Sequence, residues 1–144
     1  MNKIEKQILE EYSINYSIAA MSYEIMGIMI DARYVEERLR EFNISSMYIY
    51  GGTYMGVQLY KIGKKVSNVC GIVDKYGKIV GNEKISLMML DELSRVYKGE
   101  KIVVTSIRFF KEICSELEMF VDRENIIGIG ELLLGRTWEK NNLV

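Results

Sequence analysis

The sequence predicts an α/β domain built on a mostly parallel sheet of about five strands, preceded by a helical extension. Three observations lead there. Short runs of continuous apolar residues recur at MYIYG, NVCGIVD, KIVVTS and ENIIGIG. Such runs, without polar alternation, are what strands covered on both faces need. The segments between them place apolar residues at steps of three and four, the spacing of a helix face. The first forty-odd residues show only that helical spacing. At 144 residues the chain is long enough to bury a real core.

Residues 1–43 form the helical extension. Ile14, Ile18, Met21, Ile25 and Ile28 lie on one face, and Val35, Leu39 and Phe42 continue a stripe through RYVEERLREF. One long helix, or two broken near Asp31, both fit. The extension has room to cover a face or edge of the sheet, or to pair with a second copy. Residues 44–144 form the α/β unit. MYIYG opens it as the first strand, and YMGVQLYKIG follows as a helix stopped near Gly63. NVCGIVD is the second strand, KYGKIVGNEK a polar loop and KISLM a short apolar run. LDELSRVYKG reads as a small helix with Gly99 at its C-cap. KIVVTS is the next strand. IRFFKEICSELEMF is a helix with Phe109, Ile113 and Leu117 on one face. ENIIGIG is the last strand, and ELLLGRTWEKNNLV fades into polar residues.

Composition excludes several function classes. The net charge of -1 and the scattered Lys and Arg give no footprint for nucleic acid. The absence of His removes a Ser-His-Asp triad, a Cys-His dyad and any His-ligated metal. Cys70 and Cys114 cannot supply a Cys-rich metal site and, flanked by apolar residues, read as free buried thiols. No metal site is expected. The N-terminus lacks the apolar core of a signal peptide. The apolar stretch from Ile18 to Ile30 is interrupted by Ser22 and Glu24 and is too short to span a bilayer. The expectation is a cytoplasmic protein with no membrane partner. The Met and Tyr residues between Tyr12 and Met29 fit either a helical core or a homodimer interface. Lys61, Lys64 and Lys65 read as a solvated helix end, and Trp138 as a packing anchor or a contact to a neighbour.

The stretch MYIYGGTYMG carries the candidate site. In a dinucleotide fingerprint the first Gly makes the tight turn after strand one. The second lets the backbone approach a pyrophosphate, and the third allows close helix packing. An acid about twenty residues on takes the ribose hydroxyls. Gly51, Thr53 and Gly56 fall on the three glycine positions, with Gly52 beside the first and Tyr54 opening the helix. Asp74 closes the second strand where the acid belongs. Thr53 narrows the space for a pyrophosphate, so NAD(P) fits less well than a mononucleotide or nucleotide-sugar. The helix start still offers unpaired N–H groups to an anion. The competing reading is that the glycines serve only a sharp strand–helix turn and Asp74 caps a strand end. Thr105 and Ser106 end their strand at the same sheet edge, where they either line the crevice or cap the following helix. Glu131 arrives there as a candidate contact or a solvated acid.

In order and spacing, IYGGTYMGVQLY, VCGIVDK, ISLMMLDEL, KIVVTS and IIGIGELL resemble a recurring bacterial Rossmann-like domain. It is the small nucleotide-binding type found beside transferases of surface-polysaccharide biosynthesis, similar to the N-terminal sugar-nucleotide-binding domain of bacterial sugar O-acyltransferases. The likeness covers residues 44–134. It implies a doubly wound half-Rossmann fold and nucleotide or sugar-nucleotide binding through Gly51, Gly52, Thr53 and Asp74. A complete dehydrogenase or epimerase needs a region carrying its acid–base group, often a Tyr with a Lys, and the α/β unit leaves no length for one. The expectation is therefore a binding or accessory module with no catalytic residues. An NAD(P)-dependent oxidoreductase or its remnant, and an empty interaction domain, are the alternatives.

Overall fold

The structure is a computed structural model that describes residues 1–81 and 84–139. Two helices open the chain. α1 spans Lys3–Met29 and α2 spans Ala32–Glu41. Asn2 starts α1 with a reciprocal cap: its carbonyl oxygen accepts the Glu5 N–H at 2.8 Å and its amide donates to the Glu5 carboxylate at 3.0 Å. Asp31 separates the helices and caps α2 by accepting the Tyr34 N–H. The break near Asp31 is thus a change of partner for the backbone, with an acid in place to start again.

The α/β unit follows as β1 (Ser46–Tyr50), α3 (Tyr54–Gly63), β2 (Asn68–Val73), β3 (Leu87–Met88), α4 (Leu90–Val96), β4 (Lys101–Val104), α5 (Phe110–Leu117), β5 (Ile126–Gly128) and α6 (Ile129–Leu134). The five strands form one sheet in the order β3-β2-β1-β4-β5, every pairing parallel. This is a Rossmann-like, doubly wound arrangement. The crossover leaving β1 goes one way and that leaving β4 goes the other, so the carboxyl ends of these two neighbours diverge.

Strand residues feed two cores alternately, as a period of two requires. Met47 and Ile49 of β1, Ile72 of β2, Val103 of β4 and Ile127 of β5 face one layer. Tyr48, Tyr50, Val73, Ile102, Val104 and Ile126 face the other. The first layer is closed by α1, α2, α3 and α6 through Ile25, Val35, Leu39, Leu59 and Leu132. The second is closed by α4 and α5 through Leu93, Cys114 and Leu117. The helical extension therefore shares its core with the sheet. The segment after α6 straps back onto α1: the Trp138 indole donates to Ser17 at 2.8 Å and Arg136 pairs with Glu24 at 2.7 Å. Trp138 is a packing anchor.

Several local expectations shift. α4 ends at Val96 with Tyr97 at its cap, so Gly99 (φ 103°) serves the turn into β4 rather than the helix end. α5 begins at Phe110, and its buried face is Cys114 and Leu117, while Phe109 is 55% exposed ahead of the first turn. The start of the fading tail is a helix, α6, with Leu132 and Leu133 buried. Residues 140–144 of that tail, and 82 and 83 of the polar loop, lie outside the described residues. Both cysteines are free; Cys114 is buried, and burial raises its thiol pKa, partly offset by Arg123. Cys70 is only half-buried. Among the described residues no helix is long and apolar enough to cross a membrane, and no cluster of three metal-ligating side chains exists.

Candidate functional site

The turn after β1 is built on close approach at its three glycines. Gly51 adopts φ 126°, open to glycine, and its Cα faces the Thr105 hydroxyl. A β-carbon on Gly52 would collide with the Lys78 carbonyl, and one on Gly56 with the Gly51 carbonyl. The loop after β2 lies over Gly52: Val80 N–H donates to the Gly52 carbonyl at 2.8 Å. Gly51 N–H continues the sheet by donating to Val73 at 2.7 Å.

Asp74 locks this arrangement. One carboxylate oxygen accepts the Gly52 N–H at 3.1 Å, and the other accepts the N–H groups of Tyr76 and Lys78 at 3.0 Å each. A carboxylate has about four acceptor positions, so three are taken by the chain's own backbone and about one remains for a ligand.

The N–H groups of Thr53, Tyr54 and Met55 have no acceptor among the described residues. Thr53 is the N-cap of α3, yet its side chain makes no capping bond. The positive end of this helix is thus left open. It opens into a crevice of about 800 Å³. That crevice lies where β1 and β4 diverge, the place where doubly wound sheets take ligands, and its volume suits a small organic molecule.

Gly51, Thr53, Tyr54, Asp74, Thr105 and Ser106 all line the crevice, whereas Gly52 and Gly56 sit behind its wall. Thr105 is buried, and its hydroxyl and N–H both donate to the Tyr50 carbonyl at 3.0 Å. Ser106 closes the turn that leads into α5 by accepting the Phe109 N–H at 3.2 Å, and the helix start itself carries no side-chain cap. Glu131 lies on α6, outside the crevice lining.

Other lining groups were not marked by the glycine pattern. Tyr50 ends β1 at 4% exposure, lines the crevice, and its hydroxyl bonds to no described residue. Burial raises its phenol pKa first, and Glu116 and Asp74 add to the rise. Glu112 and Glu116, one turn apart on α5, supply acid on that side, while Lys75 and Arg108 supply cations. Ile18, Ser22 and Met26 of α1 complete the wall, and Arg108 ties the β4–α5 turn to α1 through Asn15 at 2.8 Å. A tyrosine directly before the glycines was the available signal for Tyr50. Nothing local could place α1 here.

No family model, curated protein or solved structure matches the chain.

Proposed function

We propose that the protein is a non-catalytic module that holds a nucleotide or nucleotide-sugar in the crevice between the carboxyl ends of β1 and β4. The observation that carries this reading is the uncapped start of α3 opening into a crevice of about 800 Å³ at the sheet's switch point. Free N–H groups at a helix start favour an anion. Met26, Met55, Phe109 and Ile113 offer apolar contact for a base or sugar ring. Tyr50, Glu112 and Glu116 offer partners for hydroxyl or amino groups at the far side. Asp74 acts chiefly by holding the loop over Gly52, with one acceptor position left for a ribose. The sequence resemblance assigns such a ligand to surface-polysaccharide precursor chemistry.

A second reading, a structural domain with an empty crevice, draws on the glycines. Gly51 is accounted for by its φ of 126° and the Thr105 hydroxyl beside it, Gly52 and Gly56 by close backbone packing, and Gly52 N–H is closed by Asp74. Calorimetric titration and thermal unfolding with uridine, cytidine, guanosine and adenosine diphosphates, their sugar conjugates and NAD(H) separate the two. One nucleotide family should bind and, at a hundredfold its dissociation constant, add about 2.7 kcal/mol to stability. Thr53→Asp should abolish that binding while the free protein stays as stable as before or gains slightly, because the new carboxylate caps α3 itself. A folded protein that binds none of the panel leaves the structural reading standing.

A further inference from the structure

α1 is apolar on two faces. Ile14, Met21, Ile25 and Met29 face the sheet and are buried. On the outer side run Leu9, Tyr12, Tyr16, Ala19, Tyr23, Met26 and Ile30, all exposed, in alternating steps of three and four. That 3.5-residue repeat, held for three heptads, is the seam a paired helix needs. Leu9 to Ile30 covers roughly 30 Å of helix axis at about 1.5 Å per residue. Tyr12, Tyr16, Tyr23 and Ile30 are 67, 68, 81 and 87% exposed, so the seam is open along its whole length.

We propose that this seam pairs with the same seam of a second copy, as an antiparallel helix pair. Three features of the molecule select that occupant. The exposed seam side chains, with tyrosines worth on the order of 150 Å² each, hold roughly the 800 Å² that one partner contributes to a stable interface. The positions directly flanking the seam between Tyr12 and Ile30 include Ser13, Asn15, Ala20, Ser22 and Gly27, none of them charged, and the acids Glu10, Glu11 and Glu24 lie one position further out. The first turns of α1, residues 3–13, are exposed on every side. An unsupported helix this short is marginal in water, and a partner lying along it supplies the missing contact.

Side-chain size sets the direction. Parallel pairing stacks tyrosine on tyrosine at 12, 16 and 23 and leaves Ala19 facing Ala19. Antiparallel pairing from Leu9 to Met26 sets Leu9 of one copy against Met26 of the other, Tyr12 against Tyr23, and Tyr16 against Ala19, with Ile30 past the paired length opposite Glu5. A large residue then meets a small one at the centre. Met26 also lines the crevice, so Leu9 of the second copy covers part of its rim. The pairing does not depend on whether the crevice takes a ligand.

Sedimentation equilibrium of the whole chain at micromolar concentration tests this. The expected mass is twice 16.7 kDa. Tyr16→Glu with Tyr23→Glu should halve it while far-ultraviolet circular dichroism persists, since both side chains lie outside the core. In a Cys70→Ser background, Leu9→Cys with Met26→Cys should oxidise to a cross-linked dimer, and Ala19→Cys alone should not. A monomeric wild type overturns the proposal, whether it stays in solution or sediments with anionic phospholipid vesicles. So does a dimer indifferent to both glutamates, or one that cross-links only through Ala19→Cys.

Discussion

Two strand-to-helix turns meet at the same edge of the sheet and solve the same problem in opposite ways. The turn from β1 into α3 rests on close approach: Gly51 sits against the Thr105 hydroxyl, Gly52 and Gly56 against backbone carbonyls, and only Asp74, from the neighbouring strand end, adds a side-chain bond. The turn from β4 into α5 uses side chains: Thr105 bonds back to Tyr50, and Ser106 accepts the N–H of Phe109. The first turn therefore holds its shape by tight packing and the Asp74 carboxylate, and leaves the N–H groups of Thr53, Tyr54 and Met55 open. The second spends its polar atoms on itself.

Breaking the first turn should have the larger effect. Gly56→Val drives a side chain into the Gly51 carbonyl, and overpacking of this kind costs about 3 kcal/mol or more, read as a lower urea midpoint. Removing the acid that locks the turn comes next. Asp74→Ala strips the acceptor from three N–H groups; with the carboxylate partly solvated, the loss should be about 2 kcal/mol. Ser106→Ala, at the second turn, removes a single hydrogen bond to the Phe109 N–H and should cost about 1 kcal/mol. If Ser106→Ala proved costlier than Gly56→Val, the contrast between the turns would be wrong.

The smallest effect sharpens the comparison from the alkaline side. Burial raises the phenol pKa of Tyr48, Tyr50 and Tyr97 above 10.0, with neighbouring acids adding to each. A group whose pKa is higher folded than unfolded gives full stability below the unfolded value, and that stability is lost as pH rises through the folded one. Thermal midpoints should show no loss from these three phenols up to about pH 10 and a progressive loss above it. Tyr50→Phe should make that loss shallower, because no hydroxyl is left there for burial, and then the Glu116 and Asp74 charges, to oppose in ionising.

The parts of this design that rest on local pattern were legible in the sequence. β1, β2, β4 and β5 announce themselves as unbroken apolar runs because helices cover both faces of the sheet. The α3 boundary at Gly63 was likewise legible. α6 was hidden by its six-residue length between glycines at 128 and 135. The apparent stripe through Phe109, Ile113 and Leu117 misled because the spacing starts one residue too early; Phe110 begins the helix and Phe109 turns outward. In the site, the Gly51–Asp74 spacing was visible and did mark a contact. Its partner is the Gly52 N–H, a bond that depends on how the loop after β2 folds back. The α1 wall of the crevice arises only when a helix some thirty residues upstream docks beside the sheet, which no local periodicity encodes.

The lengths of the strands carry a last consequence. The sheet is longest at β1 and β2 and shrinks to two residues at β3 and three at β5, its two edges. An edge this short gives a passing strand almost no ladder to extend, so edge-to-edge pairing of one sheet with another finds little template. At high concentration such a chain should stay clear of thioflavin-positive aggregates even where apolar side chains are plentiful on its surface.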